Sequence, residues 1–219
     1  MKSTSAFGET TSRACAALAA MGSIAVVAAD LIGLAVNERV GFVADTISDL
    51  AAGRHAWIQD VGLYAFAAGL LALAAGLLRF RFGRWSWWIG AALLALLAVA
   101  IVVIGAHGEY GDRDVGGLVI HIYVVVALGI GFATVGGLLA SGLSRIEGPW
   151  SRINGVLVVI WIVAAPVFFV VPTSWDGLYE RGVAGVLLIW TLTMAAMISR
   201  PRAVEPPALR SLDDARLTR

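Results

Sequence analysis

Two carboxylates and two hydroxyls stand together in residues 45–50, DTISDL, between two stretches of almost purely apolar sequence. Ser48 and Asp49, together with His121 farther along the chain, are the residue types that a serine nucleophile with its base requires. A zinc-activated water would use similar residues, but zinc usually takes three protein ligands, often several of them histidines. His121 is the only histidine well inside an apolar stretch, so the sequence predicts neither a metal site nor a cofactor.

Further charged residues lie inside or at the edge of apolar stretches, where a charge is costly unless it has a partner or a purpose. Arg181 stands in the first turn of a predicted helix, where a cation opposes the helix macrodipole, whereas its neighbour Glu180 is favoured there. We therefore expect Arg181 to pair with a carboxylate. The candidates are Asp30, Asp49 and Asp60.

The hydroxyls of DTISDL also have a structural interpretation. Thr46 and Asp49 have the spacing of a capping box, and Ser48 is an alternative cap for a short helix that starts at Asp49. The polar cluster that the sequence predicts, whether it binds a ligand or only stabilises the fold, consists of Asp30, Ser48, Asp49, Asp60, His121, Glu180 and Arg181.

The elements that must position these residues follow from the composition. The chain has 219 residues, of which 59% are hydrophobic and only 14% charged, so a polytopic membrane protein is expected. Segments facing lipid must be helical, because their backbone groups find no water there. We predict an all-α bundle (residues 1–199) of six transmembrane helices at 14–36, 57–78, 86–106, 117–141, 153–172 and 180–199, followed by a flexible cytoplasmic tail at 200–219.

The basic residues predict the orientation of this bundle. Twelve of the 16 lysines and arginines fall on the side of the two termini, which is expected to be cytoplasmic. DTISDL would then face outward, and the polar cluster would lie in the outer leaflet. An alternative is that the first apolar segment is a signal peptide cleaved after residues 27–29. The net charge of +1, without a basic stripe, argues against nucleic acid as a partner.

Small residues mark the expected helix-packing faces. Gly62, Gly69 and Gly76 recur every seven residues in the second predicted helix, and Gly129 and Ala133 lie in the fourth. Such faces let membrane helices approach closely, and we favour packing within one bundle over a dimer interface.

Three elements give the chain a resemblance to a known family. They are residues 47–50 (ISDL) followed by Trp57-Ile58-Gln59, the histidine of residues 118–121 (LVIH), and residues 177–181 (GLYER). In this order they resemble the prokaryotic membrane family catalogued as domain of unknown function 998. The resemblance spans nearly the whole chain and implies a six-helix bundle, with a polar cluster on the outer side of a prokaryotic plasma membrane, but no activity. Many relatives carry a second histidine in an H-x-x-x-H pattern where this chain has Val125, which weakens a metal site.

These observations predict a non-catalytic integral membrane protein. Its outer polar cluster would bind a lipid or small anion, or a partner membrane protein. The alternatives are an intramembrane hydrolase using Ser48, Asp49 and His121, or a small transporter. The sequence shows neither an inverted repeat nor a clearly interrupted helix except the one that contains Pro166, so a transporter is the less favoured of these.

Overall fold

The chain folds as an all-helical bundle in the computed structural model, which describes residues 2–52, 54–80, 85–106 and 120–200. Within these residues, six helices are long and apolar enough to cross a membrane, which confirms the predicted class. The helices are α1 (Lys2–Val36), α2 (Ile47–Leu50), α3 (Ala56–Leu78), α4 (Trp85–Ala106), α5 (Ile120–Leu143), α6 (Trp150–Val167) and α7 (Asp176–Ser199); a 3-10 turn, Phe168–Val170, follows α6.

The helix ends differ from the predicted spans where polar residues continue a helix. Helix α1 begins at Lys2 rather than near residue 14, and α7 begins at Asp176 rather than Glu180. Hydropathy marks only the part of a helix that hydrocarbon can surround, and it does not detect polar turns that extend the helix beyond it. Pro166 lies inside α6, one residue before its end, and the chain then tightens into the 3-10 turn. The predicted tail lies almost entirely outside the described residues.

The six long helices form a closed ring. Each packs on the next along the chain, from α1 on α3 through to α6 on α7, and α7 packs on α1. Helices α3, α5 and α7 begin at the same end of the bundle, which we call the site end. The short helix α2 lies there, against α1, α3 and α7.

The glycines of α3 bring it close to α1. A Cβ at Gly69 would lie 3.0 Å from the carbonyl oxygen of Leu18, and one at Gly22 would lie 2.5 Å from that of Ala65. At Gly62 an added Cβ would meet the side chain of Ala29, and at Gly76 one would lie 2.5 Å from Ile198 of α7. The predicted small-residue face of α3 is thus used for packing within the chain, where it lets backbones approach.

The half of the ring away from the site end is filled with large side chains. Trp87, Phe132, Trp190 and Met194 are each at most 1% exposed. Phe132 packs edge-on against Trp190 with ring centroids 5.1 Å apart, in a favoured aromatic geometry. Asn154 joins three helices in this region, since it donates to the Gly136 carbonyl and accepts from the Trp190 indole nitrogen. This half of the bundle is a solid core, and the interior of the other half is not filled in this way.

Candidate functional site

The segment DTISDL forms the short helix α2 with the predicted capping box. Thr46 is the N-cap, and its hydroxyl oxygen accepts from the Asp49 backbone nitrogen at 3.0 Å. In return, Asp49 Oδ2 accepts from the Thr46 backbone nitrogen at 2.7 Å and from the Thr46 hydroxyl at 2.8 Å. Ser48 is therefore not the N-cap of α2, and its side chain forms a different contact.

Arg181 pairs with Asp30, one of the three carboxylates considered from the sequence. Its Nε and Nη2 donate to the two carboxylate oxygens of Asp30 at 3.0 and 3.1 Å. Its Nη1 donates to the carbonyl oxygens of Phe42 and Asp45 at 3.0 and 2.8 Å, and its guanidinium lies 4.9 Å from the Phe42 ring centroid. The Arg181 and Asp30 side chains are only 9% and 13% exposed. A bidentate, largely buried pair thus ties α7 to α1 and to the loop before α2.

The first turn of α7 also binds the loop before α2 through its backbone. The Leu178 nitrogen donates to the Val43 carbonyl at 3.0 Å, which satisfies one N–H of the first turn. A Cβ at Gly177 would collide with the Asp45 carbonyl oxygen, so a glycine is needed for this close approach. Glu180 Oε2 accepts from the Ile47 backbone nitrogen at 2.6 Å. The GLYER element therefore holds both the loop and α2.

Ser48 and His121 meet across the bundle. The Ser48 hydroxyl lies 3.2 Å from His121 Nε2, a hydrogen-bonding distance, and His121 is only 6% exposed. His121 is the second residue of α5, and Ser48 is the second residue of α2. Two residues 73 positions apart thus come together because α2 lies over the starts of the long helices.

Asp60 stands apart from the other predicted cluster residues. Its carboxylate makes no hydrogen bond or ion pair with any residue in the described ranges, and it does not line the cavity described below. Asp60 is one position beyond Gln59 on α3, so the two side chains leave the helix about 100° apart. The structure brings together Asp30, Ser48, Asp49, His121, Glu180 and Arg181, and it leaves Asp60 outside this group.

A cavity of about 910 Å³ lies inside the ring beneath these residues, and all six long helices line it. Its walls are mostly apolar, and small residues of α5 and α7 keep it wide. An added Cβ at Gly129 or Gly185 would meet nothing within 4 Å. The polar side chains of the lining are Asp30, Ser48, Gln59, His121, Thr134, Glu180 and Arg181. All except Thr134 belong to the site end, so the cavity is polar at one end and apolar in its depth.

Gln59 is the site residue that the sequence reasoning missed. Its side chain is 1% exposed, and neither its amide oxygen nor its amide nitrogen has a hydrogen-bond partner among the described residues. The available signal was a polar residue in the first turn of a largely apolar helix, directly before Asp60. The sequence analysis used Gln59 only as part of a family element.

The site can bind a ligand through hydrogen bonds more readily than through charge. Four donor contacts of Arg181 go to Asp30 and to backbone carbonyls. Within the described ranges, no three His, Cys, Asp or Glu side chains are grouped as metal ligands would be. Ser48, His121 and Gln59 line the cavity with a hydroxyl, an imidazole and an amide, and the first two are within hydrogen-bonding distance of each other.

Comparison with known proteins identifies the family to which the chain belongs. A family model described as "Protein of unknown function (DUF998)" matches residues 20–197, which include α2, the start of α5 and the start of α7. No curated protein and no solved structure matches the chain. Because the match covers most of the sequence and all six long helices contribute to it, the chain belongs to the DUF998 family, as a multi-pass membrane protein.

Proposed function

We propose that this protein binds an amphipathic lipid without converting it chemically. The polar head of the lipid would lie among the side chains at the site end, and its apolar part would extend into the depth of the ring. The observation that carries this proposal is the cavity of about 910 Å³, with polar groups at one end and apolar walls elsewhere. Ligand sites in proteins are typically of about this size and have few polar groups among apolar ones.

The charges of the site favour a lipid over a small anion. An anion would need a cation with free donors, and the Arg181 guanidinium already binds Asp30 and two backbone carbonyls. A small anion would also leave most of the apolar cavity uncovered. We also propose that the protein lies in the plasma membrane of a prokaryote, as the family resemblance implies, with both termini in the cytoplasm, as the distribution of its basic residues predicts. A partner membrane protein remains a prediction from the sequence.

Hydrolysis is the second candidate, and the contact between Ser48 and His121 favours it. A serine hydroxyl within hydrogen-bonding distance of an imidazole nitrogen is the arrangement that activates a nucleophile. Incubation with an ester lipid tests this directly. Cleavage by the wild type that is lost in Ser48→Ala would replace binding by hydrolysis as the function.

Native mass spectrometry after gentle extraction tests the binding proposal. Gly129→Leu adds a side chain at a position that lines the cavity and has open space around its Cα. Gly137→Leu, two turns later on α5, is the matched control, because Gly137 has equal space and is not part of the cavity lining. The wild type and Gly137→Leu should carry a discrete lipid mass that Gly129→Leu lacks. A wild type without bound lipid, or lipid retained by Gly129→Leu, would refute the proposal.

A further inference from the structure

Gln59 belongs to the lining of the cavity, and its side chain carries a buried primary amide. The residue is 1% exposed and lines the cavity, and both polar atoms of its amide lack a hydrogen-bond partner within the described part of the chain. Buried polar groups are nearly always hydrogen-bonded, because an unsatisfied one costs free energy. A leucine of similar size would fold here without that cost. The amide therefore indicates a ligand with which it can form hydrogen bonds.

The amide also specifies what the ligand must carry. Gln59 offers one acceptor oxygen and a donor NH₂ group, so a head group with both a donor and an acceptor satisfies it fully. The Ser48 hydroxyl, in the same lining, is likewise both donor and acceptor. Gln59 is the fourth residue of α3 and Ser48 is the second of α2, so both lie at the site end. An ester or ether without a hydroxyl group would leave the Gln59 oxygen unpaired.

The charged side chains of the lining disfavour an anionic head on electrostatic grounds. They are two carboxylates, Asp30 and Glu180, and one guanidinium, Arg181, which is bound to Asp30. A phosphate would add negative charge to this set in a medium that screens charges poorly. An uncharged head avoids that repulsion.

The depth of the cavity fits an acyl chain. Its lining runs along α3 from Gln59 to Leu70, which at the helical rise corresponds to about 16 Å. Leu63, Phe66 and Leu70 form that wall below the amide.

From these observations we propose that the ligand is an uncharged, hydroxyl-bearing lipid of the monoacylglycerol type, and that Gln59 determines this specificity. The assignment rests on the proposed lipid-binding function. It adds the class of head group and the residue that recognises it.

A titration with lipids of one chain length tests the assignment. Full-length protein, freed of bound lipid by detergent exchange, is titrated with monoacylglycerol, with lysophosphatidate and with the fatty acid methyl ester, and binding is followed by native mass spectrometry. The wild type should bind monoacylglycerol about tenfold more tightly than the methyl ester, the factor expected for one hydrogen-bonded amide. Lysophosphatidate should bind more weakly than monoacylglycerol.

The variant Gln59→Leu should lose this preference. Its affinity for monoacylglycerol should fall about tenfold, to that for the methyl ester. Its thermal stability without lipid should equal or exceed that of the wild type. Val61→Leu is the control, because Val61 is on the same helix, exposed, and outside the cavity. It should bind all three lipids like the wild type. Gln59→Met repeats the test with an unbranched side chain.

The outcomes separate this assignment from the proposal it rests on. Lipids that bind without a head-group preference, tighter binding of lysophosphatidate, or unchanged monoacylglycerol binding by Gln59→Leu would each overturn the role of Gln59 and leave lipid binding in place. Failure of both Gln59 variants to fold would make the amide a structural group and would also overturn it. If the wild type binds none of the three lipids, both proposals fail together.

Discussion

Arg181 and Asp30 form a bidentate ion pair, at 3.0 and 3.1 Å, between residues 151 positions apart. The pair joins the last membrane helix to the first, and the same guanidinium holds the loop before α2 through two carbonyl oxygens. Arg181 therefore helps to fix the position of α2, and with it that of Ser48, together with the bonds that Leu178 and Glu180 form to the same segment.

Removing either partner of this pair should destabilise the bundle strongly. Asp30→Ala or Arg181→Ala leaves a largely buried charge without its partner, and the expected loss is about 3–5 kcal/mol of unfolding free energy. In the double variant no uncompensated charge remains, so its loss should be smaller than the sum of the two single losses. Denaturant unfolding in detergent micelles measures all three. Additive losses would show that the two side chains do not act as a pair.

Loss of the capping box should loosen α2 at moderate cost. Thr46→Ala removes the acceptor for the Asp49 backbone nitrogen, and about 1 kcal/mol of stability should be lost. Thr46→Ser keeps the hydroxyl and should be close to the wild type. Hydrogen exchange of residues 46–52 gives the local readout. Thr193→Ala is the control, because among the described residues the Thr193 hydroxyl bonds only to the Ile189 carbonyl of its own helix. Equal exchange in Thr46→Ala and the wild type would contradict the cap.

A methyl group at Gly177 should separate the loop from α7. The added Cβ collides with the Asp45 carbonyl oxygen, so Gly177→Ala should lower the melting temperature and expose the loop at residues 41–46 to protease. Gly182→Ala is the matched control on the same helix, because nothing lies within 4 Å of a Cβ there. Its higher helix propensity should leave the melting temperature unchanged or raise it slightly. Equal responses of the two variants would refute the close approach.

Asn154→Ala should weaken the filled half of the bundle. The change leaves the buried Trp190 indole N–H without its acceptor, and it removes the bond to the Gly136 carbonyl, which keeps its backbone hydrogen bond within α5. The expected cost is about 1–3 kcal/mol, the cost of one unsatisfied buried donor. Thr134→Ala, which removes an exposed hydroxyl bonded to its own helix, should cost much less. Thermal unfolding in detergent measures both variants, and equal melting temperatures would contradict this role of Asn154.

Hydropathy and capping patterns predicted the parts of the fold that depend on local sequence. The six membrane helices and the Thr46–Asp49 capping box were predicted because each is encoded in a few consecutive residues or in one apolar run. The choice of Asp30 over Asp49 and Asp60 as the partner of Arg181 was not predictable. It depends on which helices are neighbours in the ring, and hydropathy carries no information about that order.

The cavity could not be predicted from the sequence for a related reason. Gly129 and Gly69 look alike in sequence, as small residues in apolar helices, yet Gly69 faces the backbone of α1 and Gly129 faces open space. Only the rotation of each helix about its axis separates the two cases. The roles of Gln59 and Asn154 were not predicted for a different reason. Each is a lone amide in an apolar helix, and neither has a charge that would have drawn attention to it.

The closed ring has a consequence for synthesis. Asp30 enters the membrane with α1, while Arg181 is added 151 residues later. At about 5–20 residues per second, that interval lasts about 8–30 s. Throughout it Asp30 has no Arg181 to bind, and α1 has no α7 to pack against. The ring, its cavity and the anchoring of α2 therefore all arise in one late event, when the last helix is inserted between the first and the sixth.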